Sequence, residues 1–216
     1  MPSLPRPVAD PSRPATPERL LAAAEREFAR AGYAAARLED IAAEAGVQRA
    51  SLLHHFGSKE ALYSAIVGRS FAALGAALSG PTLEPGRFER RLERLVRAFA
   101  EFVDARPALA RIILRELIEE AGPGRAILLE QVVPLLARVE GFVRREGRGR
   151  IRPRLPARAA LLDTAGALLI RAASGDLRAS LWGPSDRAWT VARALFLKGT
   201  SDSPMSRGHD AREARA

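Results

Sequence analysis

The chain has 216 residues, 47% of them hydrophobic and 27% charged, with no cysteine and a formal net charge of +9. This length suits one domain or two small ones around a real core; the missing thiols exclude a disulfide framework and any cysteine-based metal or redox site. The charge points to a polyanionic partner but does not locate it: residues 1–63 hold seven arginines and Lys59 against eight acids, whereas residues 138–158 hold eight arginines against Glu140 and Glu146.

In chain order, residues 1–15 are rich in Pro, Arg and Ala, and residues 199–216 are small and polar; both lack hydrophobic periodicity and are expected to be disordered arms. The stretch from Met1 to Pro17 lacks the apolar core of a signal peptide, and no uninterrupted run of about 18 apolar residues is present, so no membrane segment and a cytoplasmic location are expected. Between the arms, apolar residues recur at three- and four-residue spacings, as in Leu20, Leu21, Ala24 and Phe28, and nothing alternates as a half-buried strand would. The pattern predicts an all-α chain with helices over 17–31, 38–45, 49–55, 59–79, 86–105, 107–121, 124–146, 156–174 and 185–198. Residues 16–62 form an N-terminal helical domain and residues 63–198 a larger one.

Chemistry sets several boundaries. Thr16 can cap the first helix with Pro17 behind it, Ser58 can cap the fourth, and Gly32 and Gly46 stand where a helix end favours a left-handed backbone. Gly80-Pro81, Arg106-Pro107 and Gly122-Pro123 are expected breaks, and Pro134 is expected to kink its helix.

From Leu38 to Phe56 the chain reads LEDIAAEAGVQRASLLHHF: a short amphipathic helix, the turn Ala45-Gly46-Val47, then a second short helix. Ile41 and Ala42 pack inward, Val47, Leu52 and Phe56 clamp the second helix onto the first, and Gly46 permits the reversal. The outer face of the second helix presents Gln48, Arg49, Ala50, Leu53 and His54, among them residue types that read base edges. Taken alone, the segment also fits a purely structural hairpin. Adjacent His54 and His55 point to different helix faces without a third ligand nearby, which argues against a metal.

The longer stretch over residues 16–62 resembles the N-terminal domain of the TetR family of bacterial regulators. The resemblance rests on Leu20-Leu21-Ala22-Ala23-Ala24, Phe28, Gly32-Tyr33, Asp40-Ile41-Ala42, Ala45-Gly46-Val47, Leu52, His55-Phe56 and Lys59-Glu60. It implies a helix-turn-helix that binds a double-stranded DNA operator, with no cofactor, in a non-enzymatic regulator. In that role Arg49 would donate to guanine, Ala50 would let the helix settle into the groove, and His54, His55 and Lys59 would hold phosphates. Three positions depart from the family pattern: Leu53 replaces the usual tyrosine, Gln48 replaces a capping Ser or Thr, and Ala36 or Arg37 replaces a hydroxyl residue. Arg37 restores the lost phosphate contact by charge.

Beyond residue 63 the resemblance is one of architecture, and implies a cavity for a small-molecule effector and a homodimer. Phe99, Phe102, Ile113, Glu116, Glu120 and Leu129 are the cavity candidates. Glu116 and Glu120 are notable because a 100° helical step places both on the apolar stripe of Leu109, Ile112, Ile113 and Leu117. A carboxylate there needs a partner, either an arginine such as Arg94 or Arg97 or a polar ligand. The last two long helices are rich in small and apolar side chains; Asp163, Ala167, Ile170, Trp189, Ala192, Leu195 and Phe196 are the candidates for a two-fold interface, with burial inside one subunit as the alternative. The expected function is repression relieved by ligand, with activation, or a carrier without DNA function, as alternatives.

Overall fold

The computed structural model describes residues 16–119, 123–183 and 187–198; Glu120 and both terminal arms lie outside them. Its helices are α1 (Thr16–Ala35), α2 (Leu38–Glu44), α3 (Arg49–Phe56), α4 (Lys59–Leu83), α5 (Phe88–Asp104), α6 (Pro107–Ile118), α7 (Gly124–Ile127), a π-helical turn (Leu128–Val132), α8 (Val133–Glu146), α9 (Ala157–Ala173), α10 (Leu177–Trp182) and α11 (Ala188–Phe196). The fold is all-α. The chain divides into two compact units, Met1–Ala73 with Arg106–Val132, and Leu74–Ala105 with Val133–Ala216.

The first unit joins the helix-turn-helix segment to α6, which follows it by some fifty residues in sequence. α1 packs on both α2 and α6. Leu20, Ala23, Ala24 and Phe28 from α1, Ile41 and Ala42 from α2, Leu52 from α3, Leu62, Tyr63, Ile66 and Val67 from α4, and Leu109, Ala110 and Ile112 from α6 are buried together. Burial of this apolar surface drives the packing. At its centre Tyr63 stands edge-on to Phe28 at 4.9 Å and to Tyr33 at 5.1 Å, spacings at which ring edges meet ring faces favourably.

In the second unit α5 packs against α9 and α11, and α8 and α10 pack on α9. Phe88, Leu92, Leu95, Val96, Phe102, Val103, Phe142, Val143, Leu168 and Leu169 form its core. Buried Arg171 and half-buried Arg178 both reach Asp104 Oδ2 at 2.9 Å. The end of α11 is pinned to the loop after α8 by an isolated antiparallel bridge, Ile151 to Leu197.

Four expectations change. The helix predicted to stop before Gly80-Pro81 runs on to Leu83 with Pro81 inside it. The hydroxyls of Ser79 and Thr82 bond carbonyls of the preceding turn, and Arg91 donates to the Pro81 and Thr82 carbonyls at 3.4 and 2.5 Å, so the helix end is satisfied by side chains. The span 124–146 is interrupted by the π-helical turn just ahead of Pro134, where the wider turn accommodates the ring. The short helix α10 falls between Gly175 and Gly183, both with positive φ, in a stretch assigned no helix of its own. Ala192 and Phe196 are fully buried inside the second unit, so neither is available to a partner.

Among the described residues, α4 is long and apolar enough to cross a membrane by length and composition, although Ser64, Gly68, Ser70, Gly75 and Ser79 divide its apolar residues into short runs. Its buried residues Leu62, Tyr63, Ile66, Val67, Phe71, Leu74 and Leu78 recur at helical spacing, the pattern of a helix packed against protein.

Candidate nucleic-acid interface

α2 begins after Arg37, whose backbone is extended (φ −114, ψ 134), and no side chain caps it. Acidic Glu39 and Asp40 in its first turn complement the helix dipole instead. The chain reverses at Gly46, which adopts φ 68, a conformation costly for residues with a Cβ. The Val47 N–H donates to Ala42 O at 2.9 Å and closes the turn. Gln48 precedes α3 in extended conformation, again without a side-chain cap; the missing hydroxyls at Arg37 and Gln48 thus leave both short helices uncapped. Ser58 does cap α4, its Oγ accepting from the Ala61 N–H at 3.0 Å.

α3 keeps Leu52 inside, Leu53 and Phe56 half-buried, and Gln48, Arg49, Ala50, His54 and His55 exposed. Arg49 is not idle on this surface: its guanidinium pairs with Glu39 at 2.9 Å, and Arg37 approaches the same carboxylate at 4.0 Å. Both pairs are solvent-facing and weakly held, so a phosphate or a guanine edge can replace Glu39 as acceptor. Lys59 is placed more firmly than its expected phosphate role suggests. Its Nζ donates to Ala34 O at 3.1 Å and lies 4.9 Å from the centroid of the Tyr33 ring, ties that seat the start of α4 against the end of α1. Glu39 and Tyr33 were not singled out in the sequence, although Glu39 is half a turn from Arg37 and Tyr33 sits in the matched Gly32-Tyr33 pair.

The other expected sites are distributed differently. Phe99 is half-buried and Phe102 buried in the second unit, while Ile113, Glu116 and Leu129 belong to the first. Leu129 is 60% exposed on the π-helical turn, turned outward rather than into an interior cavity. Arg94 pairs with Glu84 and Arg97 with Glu93; the partner of buried Glu116 is instead Tyr63, whose hydroxyl donates to Glu116 Oε1. Burial above all, and then the bond to Glu116, raise the Tyr63 phenol well beyond its usual pKa, so the hydroxyl stays protonated as donor. Glu116 Oε2 is buried with no hydrogen-bond partner. No set of three His, Cys, Asp or Glu side chains gathers as a metal site among the described residues.

Residues 20–66 match the profile of the family described as bacterial regulatory proteins, tetR family. The helix-turn-helix domain belongs to the TetR family. Two curated relatives align with it: the HTH-type transcriptional repressor SCO4008 of Streptomyces coelicolor, 33% identical over 105 residues, 49% of this chain and 51% of that protein, and the HTH-type transcriptional activator FasR of Mycolicibacterium smegmatis, 35% identical over 85 residues, 39% of each. The matches span about half or less of the length of these relatives. Among solved structures, the fatty acid degradation regulator FadR of Bacillus halodurans superposes with a TM-score of 0.66 at 20% identity, over 82% of this chain and 96% of that one. Outside the TetR-family domain, therefore, the likeness is one of fold.

Proposed function

We propose that this chain is a DNA-binding transcriptional regulator, a homodimer that represses from a palindromic operator and is released by a small-molecule effector. The observation that carries the reading is α3: a helix fixed from below by Leu52 that turns Gln48, Arg49, Ala50 and His54 to solvent, the arrangement a major-groove reader needs. Arg49 reads sequence; His54, His55 and Arg37 hold phosphates, and Lys59 positions α4 while adding its charge. A two-fold dimer sets two such helices about one DNA turn, ~34 Å, apart.

The dimer reading is supported by apolar side chains left open in the second unit. Leu162, Ile170 and Val191 are 50%, 49% and 63% exposed, and with Asp163 and Ala167 they mark the outer faces of α9 and α11; Trp189 and Leu195 are half-buried beside them. Exposed apolar residues on two helices that pack together favour a self-complementary contact. An effector acts by binding the DNA-incompetent arrangement more tightly, since only differential affinity shifts a population. Activation is the second reading, supported by one relative named as a repressor and another as an activator. A carrier without DNA function would not need the exposed face of α3.

The test is titration of the full chain against a duplex from the region upstream of its own gene at several salt concentrations. Saturable binding whose affinity falls steeply with salt supports the regulator; its absence removes that reading. A reporter in a strain lacking the gene then separates repression, in which expression rises, from activation, in which it falls.

A further inference from the structure

Inside the first unit, α1 and α6 face each other across a cleft of about 410 Å³ lined by Arg26, Ala29, Arg30, Ala108, Arg111 and Arg115. The helical repeat accounts for this lining: positions 26, 29 and 30 share one face of α1, and positions 108, 111 and 115 share one face of α6. The two alanines allow the backbones to approach, and the four long arginines form the walls. The guanidinium ends give the wall its charge. Four planar, fork-shaped donors on two helices match an acceptor with several oxygens on one centre.

We propose that this cleft binds a compact multivalent anion of the phosphoryl class, and that its occupation weakens operator binding; the second half rests on the regulator reading above. Two of the arginines, Arg26 and Arg115, are engaged in replaceable ways. Arg26 pairs with Glu44 at 2.5 Å, Arg30 with Glu27 at 2.7 Å and Arg115 with Glu119 at 3.3 Å. Arg26 and Arg115 are 59% and 41% exposed, with partners 41% and 42% exposed, and ion pairs open to water are weak; Arg30 is held by two bonds to buried Glu27 and stays in place as a fixed wall. A phosphoryl group that accepts from Arg26 and Arg115 replaces two single carboxylate contacts with a shared, bidentate network.

The arginines also hold the helix-turn-helix. Glu44 is the last residue of α2, so Arg26 ties α1 to the helix that precedes the turn. Arg115 Nη2 donates to Arg30 O at 3.2 Å. Its Nη1 lies 3.1 Å from the place a Cβ would take at Gly32, where α1 breaks with φ 78 and ψ 168. An anion that draws Arg26 and Arg115 into the cleft releases Glu44 and the Arg30 carbonyl together, and so loosens the seat of α2 and α3. By linkage, operator DNA lowers the affinity for the anion by the same factor.

The probe is inorganic pyrophosphate, titrated calorimetrically into the full chain without DNA, at ionic strength held constant with sodium chloride. The proposal predicts one saturable site, weakened about tenfold by Arg111→Ala and less by Arg111→Lys, which keeps charge but loses the fork; far-UV circular dichroism checks folding, and Arg26→Gln serves if Arg111→Ala does not fold. With DNA, saturating pyrophosphate lowers the wild-type affinity for the upstream duplex about fivefold or more and leaves that of Arg111→Ala unchanged. Heat no greater than that of added chloride, or equal binding by wild type and both variants, overturns the site. A shallower salt dependence of DNA binding in Arg111→Ala without pyrophosphate also overturns it, because the cleft then belongs to the DNA footprint. Failure of the wild type to bind the duplex overturns the coupling and the regulator reading, while calorimetry still decides the site.

Discussion

Replacing Tyr63 with phenylalanine removes one hydroxyl and nothing else from the aromatic cluster with Phe28 and Tyr33. That hydroxyl donates to Glu116, whose Oε2 already lacks a partner and whose residue is only 7% exposed. The variant therefore strands a buried carboxyl group. An unsatisfied buried polar group costs about 1–3 kcal/mol, and a buried charge stripped of its partner about 3–5. The expected loss is about 2–3 kcal/mol, or a fall in Tm of roughly 5–10 °C for a chain of this size. Tyr63→Phe combined with Glu116→Leu removes both polar groups and should recover most of the loss, as apolar replacement of a buried pair usually does. Thermal unfolding followed by circular dichroism measures all three proteins. If Tyr63→Phe lies within about 0.5 kcal/mol of wild type, or the double variant is no better than the single one, Glu116 does not depend on Tyr63 and the reasoning fails.

Gly124 packs so closely that an added Cβ would lie 2.6 Å from Glu116 Oε2 and 2.8 Å from Cγ. Gly124→Ala should then cost about 1–3 kcal/mol in the wild type and little in a Glu116→Ala background, a difference that thermal melts of the two pairs expose. Leu162→Glu with Ile170→Glu should give folded monomers in sedimentation, whereas Phe196→Ala should destabilise the second unit by about 3–5 kcal/mol without exposing a new surface; an unchanged dimer in the first case removes α9 from the interface. Glu140 bonds Arg158 and Arg144, and these contacts hold its carboxyl below the ordinary value of 4.5. A lowered carboxylate pKa stabilises the fold above the unfolded pKa and stops doing so as pH falls through the folded one. The stability gap between wild type and Glu140→Gln should therefore be present at pH 7 and shrink below about pH 4.5; a gap that widens on acidification contradicts the sign.

The helix-turn-helix was legible in the sequence because its interior is local. Ile41, Ala42 and Leu52 lie within a dozen residues of one another, and Gly46 announces the reversal between them. The acidic position on α6 was legible as a question only: periodicity places Glu116 among Leu109, Ile112 and Ile113, but its partner lies 53 residues away on α4. The same limit applies to Ala192 and Phe196, where an amphipathic pattern shows that one face is apolar but not whether α5 or a second subunit covers it. Pro81 looked like a stop because the ring forbids one backbone bond; Ser79, Thr82 and Arg91 supply replacements that no spacing rule anticipates. The arginine cleft was invisible for a simpler reason. Its two walls are ordinary polar helix faces until α1 and α6 are set side by side.

Whether α3 reads sequence through Arg49 is decided by the binding of wild type and Arg49→Ala to the upstream duplex and to a scrambled duplex, each at several salt concentrations. Arg49 projects from the first turn of α3 and is held ready by Glu39 at 2.9 Å. Its removal should cost about 1–3 kcal/mol on the upstream duplex, roughly 5- to 150-fold in affinity, and much less on the scrambled one. Equal losses on both duplexes would mean that Arg49 holds phosphate, and no loss on either would contradict the assignment of α3 as the reading helix.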